Sequence, residues 1–342
     1  MNRVQIKWLI SIVILFSLLF FQLPYFYSQP GSALVLNDLI TVEDGYEEKG
    51  AFMLTTVKMG RATIPIYLWA KLNSNLELHP MKQLKYDGES DEEYHERQLF
   101  MMKQSQDAAK IVAYRHANKR FTVNNKGVVV IRFIDGMPAK EVLQPGDRII
   151  AVDGKAVQTA DELMRRFNGK SLGETVSLTV VRNGKTHSVE VAFAPFPDDI
   201  SHSEQSIGIG IVNPITYKEI TFEQDVHIDT SEIGGPSAGL MFALEIYNQL
   251  VPEDMTKGYQ IAGTGTLNED GTVGRIGGAG QKVVAAHKAG ADYFFAPNEK
   301  GASDSNYVEA LRVAERIGTT MEIVPVDTFA DALQFLQSLP EK

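Results

Sequence analysis

The first apolar block of the chain is also its densest. Trp8 to Phe21 reads Trp-Leu-Ile-Ser-Ile-Val-Ile-Leu-Phe-Ser-Leu-Leu-Phe-Phe, and no charged residue follows it until Asp38. Counted through Leu23 to Tyr27, the block reaches about 20 residues, the helical length that spans a bilayer. Arg3 and Lys7 precede it, which predicts residues 1–7 in the cytoplasm, a single-pass transmembrane anchor over 8–27, and an extracytoplasmic remainder. A cleaved signal peptide has an apolar core of the same size, but bulky Tyr25, Phe26 and Tyr27 close the segment without a small-residue cleavage site.

Beyond the anchor the pattern shortens. Leu34-Val-Leu36, Ala51 to Val57 and Ile64-Pro-Ile-Tyr-Leu-Trp69 read as strands, punctuated by Gly50, Gly60 and Pro65. Asp91 to Asn118 predicts a long helix, acidic at its start and basic near its end, with apolar positions at Leu99, Met102, Ala109, Val112 and Ala113.

From Phe121 the pattern becomes that of a small β-rich module, over residues 121–195. Gly127 to Ile131 predicts a strand, Ala160 to Phe167 a helix, and Thr175 to Arg182 and Ser188 to Phe193 two strands, with Asn183-Gly184 marking a hairpin. Pro195 to Asp199 reads as a linker. Residues 196–342 then alternate strand and helix. Helices are expected from Ser237 to about Leu250, from near Lys282 to Ala289 with a stop at Gly290, and over Tyr307–Ile317 and Thr328–Leu339; strands fall between them.

Charge and composition exclude more than they identify. A net charge of −10 argues against nucleic acid as the main partner. No cysteine is present, so disulfides, iron–sulfur clusters and a cysteine nucleophile are excluded. The seven histidines are scattered without a ligand-like spacing, so neither a metal nor any other cofactor is expected. No Gly-x-x-x-x-Gly-Lys-Ser/Thr phosphate loop occurs, which predicts an activity independent of ATP.

Two segments carry candidate chemistry. Thr230 to Leu240 reads Thr-Ser-Glu-Ile-Gly-Gly-Pro-Ser-Ala-Gly-Leu and offers Ser237 at the mouth of a helix, where free backbone N–H groups can face an oxyanion. Gly235 and Gly239 would let a substrate backbone approach. Ile276 to Ala286 offers Lys282 among Ile276, Val283, Val284, Ala285 and Ala286. A serine hydroxyl needs a base, and a lysine serves as one only when burial keeps its amine neutral. Gly235-Pro-Ser-Ala-Gly239 also satisfies the nucleophile elbow of α/β-hydrolases, but the residues before it read as loop, and the only later histidine is His287, within the lysine helix. A purely structural use of the glycines and of the buried lysine is the blander alternative.

The flanking residues narrow the choice. Gly235-Pro-Ser-Ala-Gly239, Ile261-Ala-Gly-Thr-Gly-Thr266, Gly271-Thr-Val-Gly-Arg-Ile-Gly-Gly278 and Lys282-Val-Val-Ala-Ala-His-Lys-Ala-Gly290 together resemble the proteolytic domain of Lon-type serine proteases, near-continuously from Asp225 to Pro297. The resemblance implies a mixed α+β or α/β fold like that of a ribosomal-protein domain, a serine endopeptidase, Ser237 as nucleophile and Lys282 as its base. It also implies Thr264 as the hydroxyl that holds the lysine amine, and rings of six as the assembly. Leu143-Gln-Pro-Gly-Asp-Arg-Ile-Ile-Ala-Val-Asp-Gly154 is similar to the PDZ domains of bacterial envelope proteases, which take an extended peptide as an added strand. Val123 to Gly127 is the expected place of its carboxylate-holding loop. Met101 to Ala109 resembles a helix that precedes the serine loop in Lon domains, so residues 34–120 are expected to begin the catalytic fold and the PDZ module to interrupt it. As a whole the chain resembles membrane-anchored, PDZ-containing Lon-like proteases, and its expected partners are polypeptide substrates at the membrane. An inactive PDZ scaffold for envelope proteins is the alternative.

Overall fold

A six-stranded sheet in the order Glu322–Val326, Tyr293–Pro297, Gln260–Gly263, Ala51–Thr63, Gln22–Val35 and Glu77–Pro80 organises one unit of the chain. The computed structural model describes residues 5, 8, 19–86, 89–197, 207–230 and 233–342. The first four strands in that order are mutually parallel, and Gln22–Val35 runs antiparallel to both its neighbours. The central parallel strands read Gln-Ile-Ala-Gly and Tyr-Phe-Phe-Ala-Pro, apolar at successive positions, as strands covered on both faces require. Phe294, Ala296 and Ala262 pack with Val283 and Ala286 of the helix Ala279–Lys288 and with Ala310 and Ala314 of the helix Asn306–Ile317. Small residues on both helices let them sit close to the sheet. This unit gathers the described residues up to 86 with Gln98–Arg120 and Gln224–Lys342.

The second unit is built from Gly88–Arg97 and Phe121–Glu223. Its sheet runs Lys185–Ala192, Thr175–Arg182, Asp147–Val152, Phe121–Val130 and Ile215–Phe222, all antiparallel, and it wraps a separate core that includes Val128, Ile149, Leu163, Val176, Leu178 and Ile209. Arg182 pairs with Lys185 across the two-residue turn Asn183-Gly184, whose φ values of 49° and 74° are those of the expected hairpin. The unit extends past Pro195: Ile215–Phe222 forms its edge strand and Ile209 lies in its core. Val123 to Gly127 is not a loop, as expected from sequence, but part of a strand. Asn125, Asn124 and Val123 pair with Lys218, Glu219 and Ile220, so these backbone groups are committed to the ladder.

Two further expectations change. Ile64–Ala70 is a helix rather than a strand, because Pro65 sits at the start of the first turn, where its missing N–H costs nothing and its fixed φ is already helical. The expected transmembrane helix does not extend to Tyr27: Gln22–Val35 is a strand, paired with Thr63 at Gln22 and with Pro80 at Tyr25. Most of the remainder of that anchor, with residues 198–199 of the expected linker and residues 231–232 of the serine segment, lies outside the described residues. Among the described residues no helix is long and apolar enough to cross a membrane. The Asp91–His116 helix runs where the acidic start and basic end place it.

Candidate active site

Ser237 lies two residues before its helix. The helix spans Gly239–Leu250 with Ala238 as N-cap, two residues shorter at its start than the sequence predicts. The Ser237 carbonyl explains the difference. It accepts from Gly265 N at 2.9 Å and from Thr264 Oγ1 at 3.0 Å, which ties it to the neighbouring chain instead of the helical ladder. Thr264 and Gly265 follow directly on the strand Gln260–Gly263, and Thr264 N donates to Phe295 O at 3.0 Å. A sheet strand thus fixes the serine turn from one side.

The glycines of the turn serve the protein more than a ligand. Gly235 has φ 90°, a left-handed conformation that favours glycine, and its N–H donates to Gln98 O at 3.0 Å. A Cβ at Gly239 would come within 2.8 Å of Ser105 Oγ and 2.9 Å of Leu267 Cβ, so this glycine is spent on internal packing, not on admitting a substrate backbone. Among the described residues, neither the Ser237 nor the Ala238 N–H has an acceptor.

Lys282 reaches the serine from the fourth residue of the helix Ala279–Lys288. Its Nζ lies 2.8 Å from Ser237 Oγ and 2.9 Å from Thr264 Oγ1. The Thr264 hydroxyl donates to the Ser237 carbonyl, so its oxygen is left to accept from the lysine. The three predicted side chains therefore meet in one cluster. Lys282 is 2% exposed, among buried Val283, Val284, Ala285 and Ala286, and burial lowers its pKa to about 7. No charged partner enters that shift, which makes desolvation its whole cause.

Supporting contacts come from distant parts of the chain. On the Asp91–His116 helix, Ser105 Oγ donates to Pro236 O at 3.0 Å, Gln106 Nε2 to Thr230 Oγ1 at 2.6 Å, Lys110 Nζ to Val226 O at 2.8 Å and Tyr114 OH to Gln224 O at 2.5 Å. Gln106, Lys110 and Tyr114 recur every fourth residue, so one helix face braces the strand and loop that lead to the serine. That polar recurrence was the available sequence signal. Gln281, beside the lysine, donates to Ser28 Oγ at 3.0 Å, and Ser28 bonds His79 Nε2 at 2.7 Å. Gln281 and Ser28 are 253 residues apart, and no sequence pattern links them. His287 instead bonds Thr319 Oγ1 at 2.9 Å on the exposed side of the lysine helix, which leaves the hydrolase elbow without its histidine.

The comparisons with known proteins also find two domains in the chain, at bounds that differ from those of the two units. Residues 119–193 match the family model of the PDZ domain, and residues 211–338 that of the Lon protease C-terminal proteolytic domain. A Lon protease of Aster yellows witches'-broom phytoplasma is 30% identical over 113 residues, covering 32% of this chain and 13% of that protein. A Lon protease of Mycoplasma mobile is 25% identical over 227 residues, covering 61% of this chain and 26% of that protein. The crystal structure of the PDZ domain of an SdrC-like protein from Listeria monocytogenes is 28% identical, covers 25% of this chain and 85% of that one, and has a TM-score of 0.23. The chain thus spans about a quarter or less of the length of these Lon relatives. It carries a PDZ domain and a Lon-type proteolytic domain.

Proposed function

We propose that this chain is a serine endopeptidase in which Ser237 attacks the peptide carbonyl and Lys282 is the general base. The observation that carries the reading is the 2.8 Å approach of a buried, desolvated Lys282 amine to Ser237 Oγ. A neutral amine uses an N–H toward Thr264 and keeps its lone pair for the serine proton. Oγ then bonds to the carbonyl carbon, the lysine receives the proton, and the oxyanion faces the Ser237 and Ala238 N–H groups. When the C–N bond breaks, the lysine returns the proton to the leaving amine, and water later hydrolyses the acyl-enzyme with the lysine again as base. Thr264 orients the amine through both steps.

The named Lon relatives and the matched domain support this class of reaction, and the PDZ domain supports polypeptide partners. An extended peptide recruited as an added strand would pair with the edge strand Ile215–Phe222, beside which Ala160 N of the helix Ala160–Phe167 donates to Thr216 Oγ1 at 3.0 Å. We read the substrates as unfolded or PDZ-recruited proteins of the cell envelope, cleaved without ATP. The apolar block ahead of Gln22 is read as a membrane anchor, with the catalytic part outside the cytoplasm.

The test is cleavage of an unfolded reporter by the full chain. Ser237→Ala and Lys282→Ala are each expected to lose activity by about 10³-fold or more, with the double variant hardly worse, since the two act as one unit. Undiminished cleavage by either single variant would remove Ser237 and Lys282 from the mechanism.

A further inference from the structure

The helix Ile64–Ala70 buries none of its residues, which is unusual for a segment reading Ile-Pro-Ile-Tyr-Leu-Trp-Ala. Its inner face rests on the strand Gln22–Val35, where the Tyr67 and Tyr25 rings meet edge-on at 5.4 Å. Its outer face is a stripe. Pro65, Leu68, Trp69 and Leu72 are spaced three, four and seven residues apart and are all exposed: Leu68 by 61%, Trp69 by 57% and Leu72 by 83%. Phe20 and Phe21 are exposed by 66% and 58%. Register brings the two groups to one end of the sheet. Gln22 pairs with Thr63, so Phe21 precedes that pair and Ile64 follows it.

Three observations say what covers this face. First, it is continuous with the apolar block Trp8–Phe21, because Phe20 and Phe21 are the last residues of that block. Second, Gln22 is already a strand residue, so only the 14 residues from Trp8 to Phe21 remain to cross a bilayer. As a helix they would reach about 21 Å, against about 30 Å of hydrocarbon. Third, the charge is reversed here. Between residues 51 and 86 the exposed cations Lys58, Lys71 and Lys82 outnumber the one acid of that stretch, Glu77, in a chain of net charge −10. Lys71 directly follows the helix, with its ammonium over the Tyr67 ring at 5.4 Å. A second copy docked symmetrically would bring these cations against their own kind, whereas anionic headgroups complement them.

We propose that Leu68, Trp69 and Leu72, with Phe20 and Phe21, bed into the boundary between headgroups and acyl chains of an anionic lipid bilayer, as the footing of the catalytic unit beside its anchor. Tryptophan with neighbouring lysine suits that depth, apolar body inward and cations at the phosphates. A footing of this kind shortens the distance the anchor must cross, since the bilayer thins around a short span at modest cost. The inference rests on the membrane-anchor reading, and its test separates the two.

The chain has two tryptophans, Trp8 and Trp69, one for each claim. Full-length Trp8→Phe and Trp69→Phe proteins would be reconstituted into phosphatidylcholine–phosphatidylglycerol vesicles carrying bromine at shallow or deep acyl positions. Trp69 fluorescence is expected to be quenched more by shallow than by deep bromines, and Trp8 fluorescence to be quenched as well. Leu68→Glu with Leu72→Glu in the Trp8→Phe background should relieve the Trp69 quenching, whereas the same pair in the Trp69→Phe background should leave Trp8 quenched. Quenched Trp8 with unquenched Trp69 would overturn the footing and leave the anchor standing. Unquenched Trp8 would overturn the anchor, and the footing with it. A blue shift of Trp69 that tracks protein concentration and ignores lipid would assign the face to a second copy and overturn the proposal.

Discussion

A lysine with a pKa lowered to about 7 makes the rate of the proposed reaction a titration. The neutral fraction of Lys282 grows as pH rises, so cleavage should increase through a midpoint near pH 7 and level off above it. A rate that peaks at pH 5 would exclude the lysine as base. Stability follows the same group with a definite sign. The folded chain sheds this proton at about 7 and the unfolded chain only near 10.5, so in between the unfolded state binds more protons and stability rises with pH. Lys282→Met removes that dependence. Its melting temperature, relative to the parent protein, should be raised more at pH 6 than at pH 9. Thr264→Val tests the neighbouring hydroxyl. It deletes the acceptor 2.9 Å from Nζ and the donor to the Ser237 carbonyl, and kcat should fall roughly 10–100-fold, with partial recovery in Thr264→Ser. At this scale the sequence was informative, because the serine and lysine stand in long distinctive segments whose apolar neighbours already announce burial. The direct contact with Thr264 was implied only by resemblance. The Gln281–Ser28–His79 chain behind the lysine was not legible at all, since it joins residues that only the sheet brings together.

Among the elements, the serine helix carries a second titration that the reaction does not use. Glu245 is fully buried on it and accepts from Gln249 Nε2 at 2.5 Å through Oε1, while its Oε2 has no hydrogen-bond partner among the described residues. Glu48 accepts from Asn248 Nδ2 at 2.8 Å through Oε2, and the Asn37 side chain also bonds it. Burial raises both carboxyls far above the carboxylate range; Glu245 and Asp254 push Glu48 further up, and Asp254 adds to Glu245. The folded chain thus holds protons that the unfolded chain has already lost, so this contribution to stability is complete below pH 4.5 and fades as pH rises to about 8. Glu245→Gln mimics the protonated acid and keeps the oxygen that Gln249 needs. It should raise the melting temperature by about 2–4 °C for each kcal/mol recovered at pH 8.5, with little gain at pH 5. An equal gain at both values would show that Glu245 is not the group being titrated. Element boundaries were the weaker part of the sequence reading, for identifiable reasons. Pro65 punctuates a strand and opens a helix equally well, and only the exposed Leu68, Trp69 and Leu72 stripe distinguishes the two. The serine helix starts late because Thr264 and Gly265 capture the carbonyl of Ser237, 27 residues before Thr264, a tertiary effect that no local pattern contains.

On the scale of the whole molecule, the second unit yields a test of where a domain ends. Its sequence signature stops near residue 193, where the family match also stops. Its core does not. Ile209 is buried in the cluster with Val128, Ile149 and Leu178, and Ile207 and Ile211 pack against it. Ile215–Phe222 then supplies the strand that pairs with Phe121–Val130 from Val129 to Phe121. A fragment of residues 119–193 would keep the Pro-Gly-Asp turn and the Asn183-Gly184 hairpin, yet it would leave an edge of the sheet unpaired and a hole where Ile209 packs. Loss of one buried isoleucine alone costs about 2–5 kcal/mol, comparable with the whole stability of a small domain. A fragment of residues 119–223 retains both features and should unfold cooperatively on heating, whereas residues 119–193 should show a broad transition or none by circular dichroism. Ile209→Ala in the longer fragment should fall between them. If the shorter fragment melted as sharply and as high as the longer one, the C-terminal segment would be an accessory, and the edge strand a poor candidate for the place where a peptide is added.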